Sequence, residues 1–164
     1  MVNLINNQPK FKKSISYLKH NLNMMKGCYC LVISLNDEKT IKIGKKLGKI
    51  TFKKGHYVYV GSAMNSLKAR ITRHLSDEKK LHWHIDYLLK SAEITDVIYN
   101  ESNRKIECDL SKYLAAKTTG VEGFGCSDCH CESHLYYFKN RKEAIESVEN
   151  AYNSIAMECM FFRI

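Results

Sequence analysis

The chain has 164 residues, of which 45% are hydrophobic, with one Pro and eight Gly. These values fit one globular domain and exclude a collagen-like or linker-rich chain. The formal net charge of +9 favours a polyanionic partner, either nucleic acid or an anionic membrane surface. No apolar run approaches the roughly 18 residues of a transmembrane helix, and no signal peptide follows the lysine-rich start at 10–13. We therefore expect a cytoplasmic protein that does not associate with membranes.

Residues 1–25 differ from the rest of the chain because they are rich in Asn and Lys. They predict a basic N-terminal extension with a short helix, since Ile15, Leu18 and Leu22 recur at helical spacing. A single domain is expected over residues 26–164. Alternating apolar residues predict strands at 28–35, 40–44, 50–52, 56–61, 94–99 and 134–138. Helical spacing predicts helices at 67–75, 81–89, 104–117 and 141–155. This order predicts an α+β fold with a small, mainly antiparallel sheet flanked by helices.

Four short motifs follow one another along these elements. A GCY tripeptide at 27–29 opens the first strand, and a YVG tripeptide at 59–61 ends a later one. Arg70 then lies in the first helix, and Glu107 lies near the start of a further helix. In this order the motifs resemble the GIY-YIG nuclease superfamily. The phrases YVYVGSA, RHL, HWHIDYLL and GFGCSDC are similar to its stand-alone archaeal and bacterial branch.

The resemblance implies an endonuclease that hydrolyses DNA phosphodiester bonds in DNA repair or processing. It also implies that Tyr29 accepts a proton from water, that Tyr59 positions substrate or water, and that Glu107 binds Mg²⁺ or Mn²⁺. The residue types suit this chemistry, because an arginine such as Arg70 binds phosphate oxygens and a carboxylate is a hard oxygen ligand. A tyrosine with its ordinary pKa near 10 needs help to act as a base. We expect Arg70, Arg73 and His74 to supply that positive field.

Further residues are expected around this centre. His74 is expected to take part in catalysis, because it shares a helix face with Arg70. The residues expected to bind substrate are Tyr57, Gly61, Ser62, Arg73, His84, Ser127 and His134. Tyr57 is included because it lies on the same strand face as Tyr59.

Seven cysteines in a chain without an export signal indicate metal binding or burial rather than a disulfide framework. Cys126, Cys129, Cys131 and His134 offer four zinc ligands. They are crowded into nine residues, whereas zinc sites normally combine two separated ligand pairs. The alternative interpretation is a Gly-rich active-site loop whose side chains pack or contact nucleic acid.

Two other functions remain open at this stage. The same fold could serve as a nucleic-acid-binding module that has lost efficient cleavage, or as a zinc-dependent interaction module. DNA is the expected partner of the endonuclease and of the nucleic-acid-binding module, with a DNA-repair protein as a further partner. The sequence does not indicate an oligomeric state.

Overall fold

The computed structural model describes residues 25–163. Its strands are β1 (Gly27–Leu35), β2 (Lys39–Ile43), β3 (Gly48–Phe52), β4 (Gly55–Ala63), β5 (Glu93–Tyr99), β6 (Leu135–Phe138) and β7 (Met160–Arg163). Its helices are α1 (Leu67–Leu75), α2 (His84–Leu88), α3 (Glu107–Ala115) and α4 (Arg141–Ser154). The helix predicted within residues 1–25 lies outside the described residues.

Five strands form one antiparallel sheet in the order β6-β4-β1-β5-β7, and β2 and β3 form a separate hairpin. Four helices flank the sheet, which confirms the predicted α+β class. None of these helices, within the part of the chain described, combines the length and apolar character needed to span a bilayer.

The sheet buries both of its faces, and β1 at its centre is the clearest case. Tyr29, Leu31 and Ile33 point into one core, which α1, α2 and the β2-β3 hairpin complete. Cys28 and Cys30 point into the second core, formed with α3 and α4. The alternating residues of a strand face opposite sides. The small residues between the large ones in β1 are therefore core residues too, packed beneath helices.

Three elements differ from the sequence-based prediction. Helix α3 is shorter at both ends, since it spans Glu107–Ala115 rather than 104–117. Helix α2 begins at His84 rather than near 81, because the Asp86 carboxylate accepts hydrogen bonds from the backbone N–H groups of His82 and Trp83. Those bonds hold the two residues in an extended approach to the helix. Strand β7 was not predicted; Met160 and Phe161 are both exposed, so the segment lacks the alternation that marks a half-buried strand.

Candidate functional site

Tyr29, Tyr59, Arg70 and Glu107 line one open, polar pocket with a volume of about 450 Å³. They come from β1, β4, α1 and the first turn of α3. The two strands are neighbours in the sheet, which brings the tyrosine rings to a centroid separation of 6.5 Å. The pairing of β1 with β4 and the positions of α1 and α3 thus bring residues that are far apart in sequence to one cavity.

Gly61 makes room for Tyr29. The two residues face each other across β1 and β4. A Cβ atom on Gly61 would lie 2.5 Å from Tyr29 Oη and 2.6 Å from Tyr29 Cζ. A glycine at this register therefore lets the Tyr29 ring lie against the neighbouring strand.

His74 lies behind Tyr29 and does not line the pocket. Its Nε2 is 2.8 Å from Tyr29 Oη, and its side chain is 2% exposed. The pKa of His74 is lowered to about 3, mainly by burial; the Asp86 carboxylate opposes this effect, and the charges of Arg70 and Arg73 add to it. The imidazole is therefore neutral at pH 7. The expectation that it adds positive charge was wrong.

Burial also raises the pKa of both pocket tyrosines well above the ordinary value. For Tyr29 the neighbouring Tyr59 adds to this effect, and Arg70 opposes it. Arg70 is likewise the main group that lowers the pKa of Tyr59. Arg70 is therefore the principal positive influence on both hydroxyls.

Trp83 supports the arginines of α1. The guanidinium carbon of Arg70 lies 4.3 Å from the Trp83 ring centroid, and that of Arg73 lies 4.1 Å from it. Arg73 also makes two hydrogen bonds, of 2.7 and 2.8 Å, to the fully buried carboxylate of Asp86. Arg73 is thus ion-paired and does not line the pocket, so its predicted role in binding substrate is not supported by its position.

The loop between α3 and β6 forms one wall of the pocket. His84 Nδ1 accepts a hydrogen bond of 3.0 Å from the Gly125 N–H, which fixes this nitrogen as the unprotonated one. Gly125 has a φ of +74°, a conformation that favours glycine. A Cβ atom at this position would lie 3.0 Å from Tyr59 Cε2, so the absence of a side chain lets the loop pack against the Tyr59 ring. His84 therefore ties α2 to the loop, and both line the pocket.

Tyr57 lies outside this pocket. It shares a sheet face with Tyr59, but two residues along a strand is a step of about 6.6 Å. Its ring packs against Phe52 and Tyr137, and its hydroxyl donates a hydrogen bond of 2.8 Å to the Lys53 carbonyl. Tyr57 is a packing residue at the far end of β4, and its predicted role in the site was wrong.

The pocket gathers nine of the predicted site residues: Tyr29, Tyr59, Gly61, Ser62, Arg70, His84, Glu107, Ser127 and His134. It also contains five that were not selected as site residues: Val60, His82, Trp83, Gly125 and Asp128. The sequence contained a signal for Trp83, which lies between His82 and His84, and for Asp128, which lies in the Gly-Cys-His loop.

A second group of side chains adjoins the pocket. Cys108, Cys129, Cys131 and His134 place one ligand atom each within 4.8 Å of one another, and the group could hold a metal ion. Cys126 lies outside this group, which corrects the predicted ligand set. Cys108, in the first turn of α3, takes its place.

Among the comparisons with known proteins, one family model matches the chain. Neither curated proteins nor solved structures include a match to this chain. A family model described as "Domain of unknown function DUF123" matches residues 28–157. This range covers most of the chain and includes both groups of side chains described above. The chain belongs to the DUF123 family.

Proposed function

We propose that the protein is a divalent-metal-dependent endonuclease that hydrolyses DNA phosphodiester bonds. The observation that carries this proposal is the convergence of Tyr29, Tyr59, Arg70 and Glu107 on one pocket. These residues belong to four separate elements, and they are the ones that the resemblance to the GIY-YIG nucleases selects. Their meeting in one cavity supports a shared chemical task.

Arg70 is the proposed phosphate-binding residue. Its guanidinium lies over Trp83, and no ion pair to a carboxylate is found for it within residues 25–163. Arg73, by contrast, is neutralised by Asp86. Of the two arginines, Arg70 is therefore the one whose charge is free to bind an anionic phosphate and stabilise the extra charge of the transition state.

Glu107 and Asp128 both line the pocket and offer carboxylate oxygens. This donor set fits Mg²⁺ or Mn²⁺, which are held by one or two carboxylates together with waters and substrate phosphates. When bound, such an ion would supply charge to the phosphate oxygens and lower the pKa of an attacking water. The Cys and His group is chemically different, since thiolates and imidazole favour zinc.

Tyr29 is the proposed proton acceptor for the attacking water. Its hydroxyl lies 2.8 Å from His74 Nε2. In the His74 tautomer that carries its proton on Nδ1, Nε2 can accept the proton of Tyr29. As Tyr29 Oη takes a proton from water, its own proton can move to the neutral His74. Tyr59, whose ring lies beside that of Tyr29, is placed to position the substrate or the water.

DNA is the proposed substrate because the net charge is +9 and the pocket wall carries an aromatic ring beside an arginine. Trp83 is half-buried and lines the pocket, and the part of an aromatic ring that faces a pocket can stack on a base. A cytoplasmic location and a repair-protein partner stay predictions.

The test is cleavage of branched, nicked and plain duplex DNA with Mg²⁺ and with Mn²⁺. The Glu107→Gln and Arg70→Ala variants should each lose at least ~100-fold of the activity, as expected for removal of a group that stabilises transition-state charge. The matched control is Glu101→Gln, an exposed carboxylate that does not line the pocket. Equal activity of wild type and Glu107→Gln would refute the proposal.

A second candidate is a DNA-binding module that does not cleave efficiently. The observation that favours it is the burial that raises the pKa of Tyr29 and Tyr59 and so disfavours their loss of a proton. Salt-dependent DNA binding by the wild type, with no cleavage under any metal condition, would select this candidate.

A further inference from the structure

We propose that Cys108, Cys129, Cys131 and His134 bind one zinc ion, and that this ion anchors the first turn of α3 so that Glu107 faces the tyrosine pocket. The effect on DNA cleavage rests on the proposed nuclease function. Zinc binding and helix anchoring do not.

The geometry of the four ligand atoms fits a single zinc ion. A tetrahedral site with Zn–S bonds of about 2.3 Å places sulfur atoms about 3.8 Å apart. The four atoms already lie within 4.8 Å of one another, and His134 Nε2 is 3.3 Å from Cys129 Sγ. Only a small inward movement of the side chains is needed for coordination.

The chemistry of the group fits as well. Three thiols and one imidazole make a Cys₃His set, which is typical of closed, structural zinc sites. All four cysteines of the loop and the α3 start are free thiols. Hard cations such as Mg²⁺ prefer oxygen ligands, so this group is suited to a different ion from the one proposed at Glu107.

The participation of Cys108 removes the objection raised by the crowded loop. Three of the ligands come from the short segment 129–134, and the fourth, Cys108, comes from α3. Ligands therefore approach from two separate parts of the chain. This two-part arrangement is the one that structural zinc sites commonly use.

The two groups of side chains share one wall. Cys108 directly follows Glu107, and Cys129 directly follows Asp128. Glu107 and Asp128 line the tyrosine pocket, and His134 belongs to both groups. An ion bound by the four ligands therefore joins the two backbone segments that present these carboxylates.

The start of α3 is held by burial of Ile106 in the second core, but it lacks a side-chain cap. Its N-cap residue, Ile106, makes no side-chain capping bond. The backbone N–H of Ile106 donates to Cys28 Sγ at 3.3 Å, and a thiol is a weak acceptor. A helix start without a strong cap is less stable than a capped one. Coordination of Cys108 would supply the missing anchor on the side facing the loop.

Zinc content is the first test, measured by elemental analysis on the full chain purified without chelators. The wild type and the Cys126→Ser control are expected to contain one zinc per chain, and Cys108→Ser should lose it. Its affinity should fall by more than ~100-fold, because even an outer-shell partner of a metal ligand contributes 10- to 100-fold. Replacement of zinc by Co²⁺ should give the absorption of tetrahedral thiolate coordination in the wild type and in Cys126→Ser.

Three results would overturn zinc binding at this group. They are a zinc-free wild type that gives no thiolate absorption with Co²⁺, retention of zinc by Cys108→Ser, and loss of zinc from Cys126→Ser alone. Chelation of the wild type provides a comparison that does not depend on how the Cys108→Ser variant folds.

Hydrogen exchange then tests the anchoring. Removal of zinc from the wild type should speed amide exchange in the first turn of α3 and in the loop 126–134, and should leave β1 and β4 unchanged. Unchanged exchange at α3 would refute the anchoring. Full DNA cleavage by the zinc-free protein would refute the claim that zinc positions Glu107 for cleavage. If zinc and exchange behave as expected but no DNA is cleaved, the nuclease proposal fails and the zinc anchor stands.

Discussion

Replacing Asp86 with Asn should destabilise the protein strongly, because this carboxylate is fully buried at the centre of four hydrogen bonds. Arg73 donates two of them, and the backbone N–H groups of His82 and Trp83 donate the others. An amide of the same shape keeps one acceptor oxygen and turns an NH₂ group toward these donors. The arginine then loses its counter-charge.

The expected loss of unfolding free energy is about 3 kcal/mol. Breaking a buried ion pair costs about 3 to 5 kcal/mol, and the lower end applies because the Arg73 side chain is 27% exposed. With a urea dependence of about 2 kcal/mol per molar, the unfolding midpoint should fall by about 1.5 M. Asp77→Asn is the control, since this nearby aspartate is exposed and should change stability by no more than about 0.5 kcal/mol.

The pH dependence of the Asp86 contribution has a definite sign. Burial opposes ionisation, but Arg73 and the two backbone N–H groups outweigh it and lower the pKa of Asp86. A carboxyl group whose pKa is lowered by folding stabilises the protein above its ordinary pKa, and the effect is lost as the pH falls below that value. The difference between wild type and Asp86→Asn should therefore be full at pH 7. A difference below about 1 kcal/mol there, typical of surface ion pairs, would refute the reasoning.

Four further predictions concern the pocket. Gly61→Ala should cost about 1 to 3 kcal/mol of stability in urea unfolding, because its new methyl group would overlap the Tyr29 hydroxyl; an unchanged midpoint would show that the ring can move freely. Since folding lowers the pKa of His74 to about 3, protonation opposes the folded state, and stability should fall by about 2 kcal/mol between pH 7 and 5. The His74→Gln variant should lack this part of the pH dependence, and identical pH profiles would contradict it. Trp83→Leu should slow single-turnover DNA cleavage more than Trp83→Phe does, because the ring under Arg70 is lost only in the first; equal rates would argue against the stacking contact. DNA binding measured at several salt concentrations should weaken linearly in log–log form, and a flat response would exclude phosphate contacts as its source.

Local patterns in the sequence were enough to predict the class of fold and the positions of most elements. The alternation in β1 and the helical spacing in α4 are properties of short segments, and tertiary structure did not override them. The convergence of Tyr59 and Arg70 could also be expected, because α1 directly follows β4 in the chain. The approach of Tyr29 depended on the pairing of β1 with β4 across the intervening hairpin. The position of Glu107 depended on the family resemblance.

The errors arose where a long-range partner decides the role of a residue. Helical spacing places Arg73 beside Arg70, but it cannot reveal that Asp86 neutralises only one of them. Strand periodicity places Tyr57 and Tyr59 on one face, but it does not say at which end of the strand the pocket lies. Cys108 is separated from the loop cysteines by a helix and a turn, so no spacing rule connects it with them.

The environment of Tyr29 bears on how the proposed reaction could proceed. In the free protein, burial disfavours both a charged Tyr29 and a charged His74. Arg70 makes the first of these charges easier to form and the second harder. A DNA phosphate bound to Arg70 would offset its positive charge and raise the pKa of His74. The proton taken from water by Tyr29 Oη would then be matched by a proton moving to His74 Nε2, and no lasting tyrosinate would form. Substrate binding would thus make protonation of His74 easier in the proposed reaction, while burial would stay the largest cause of its low pKa.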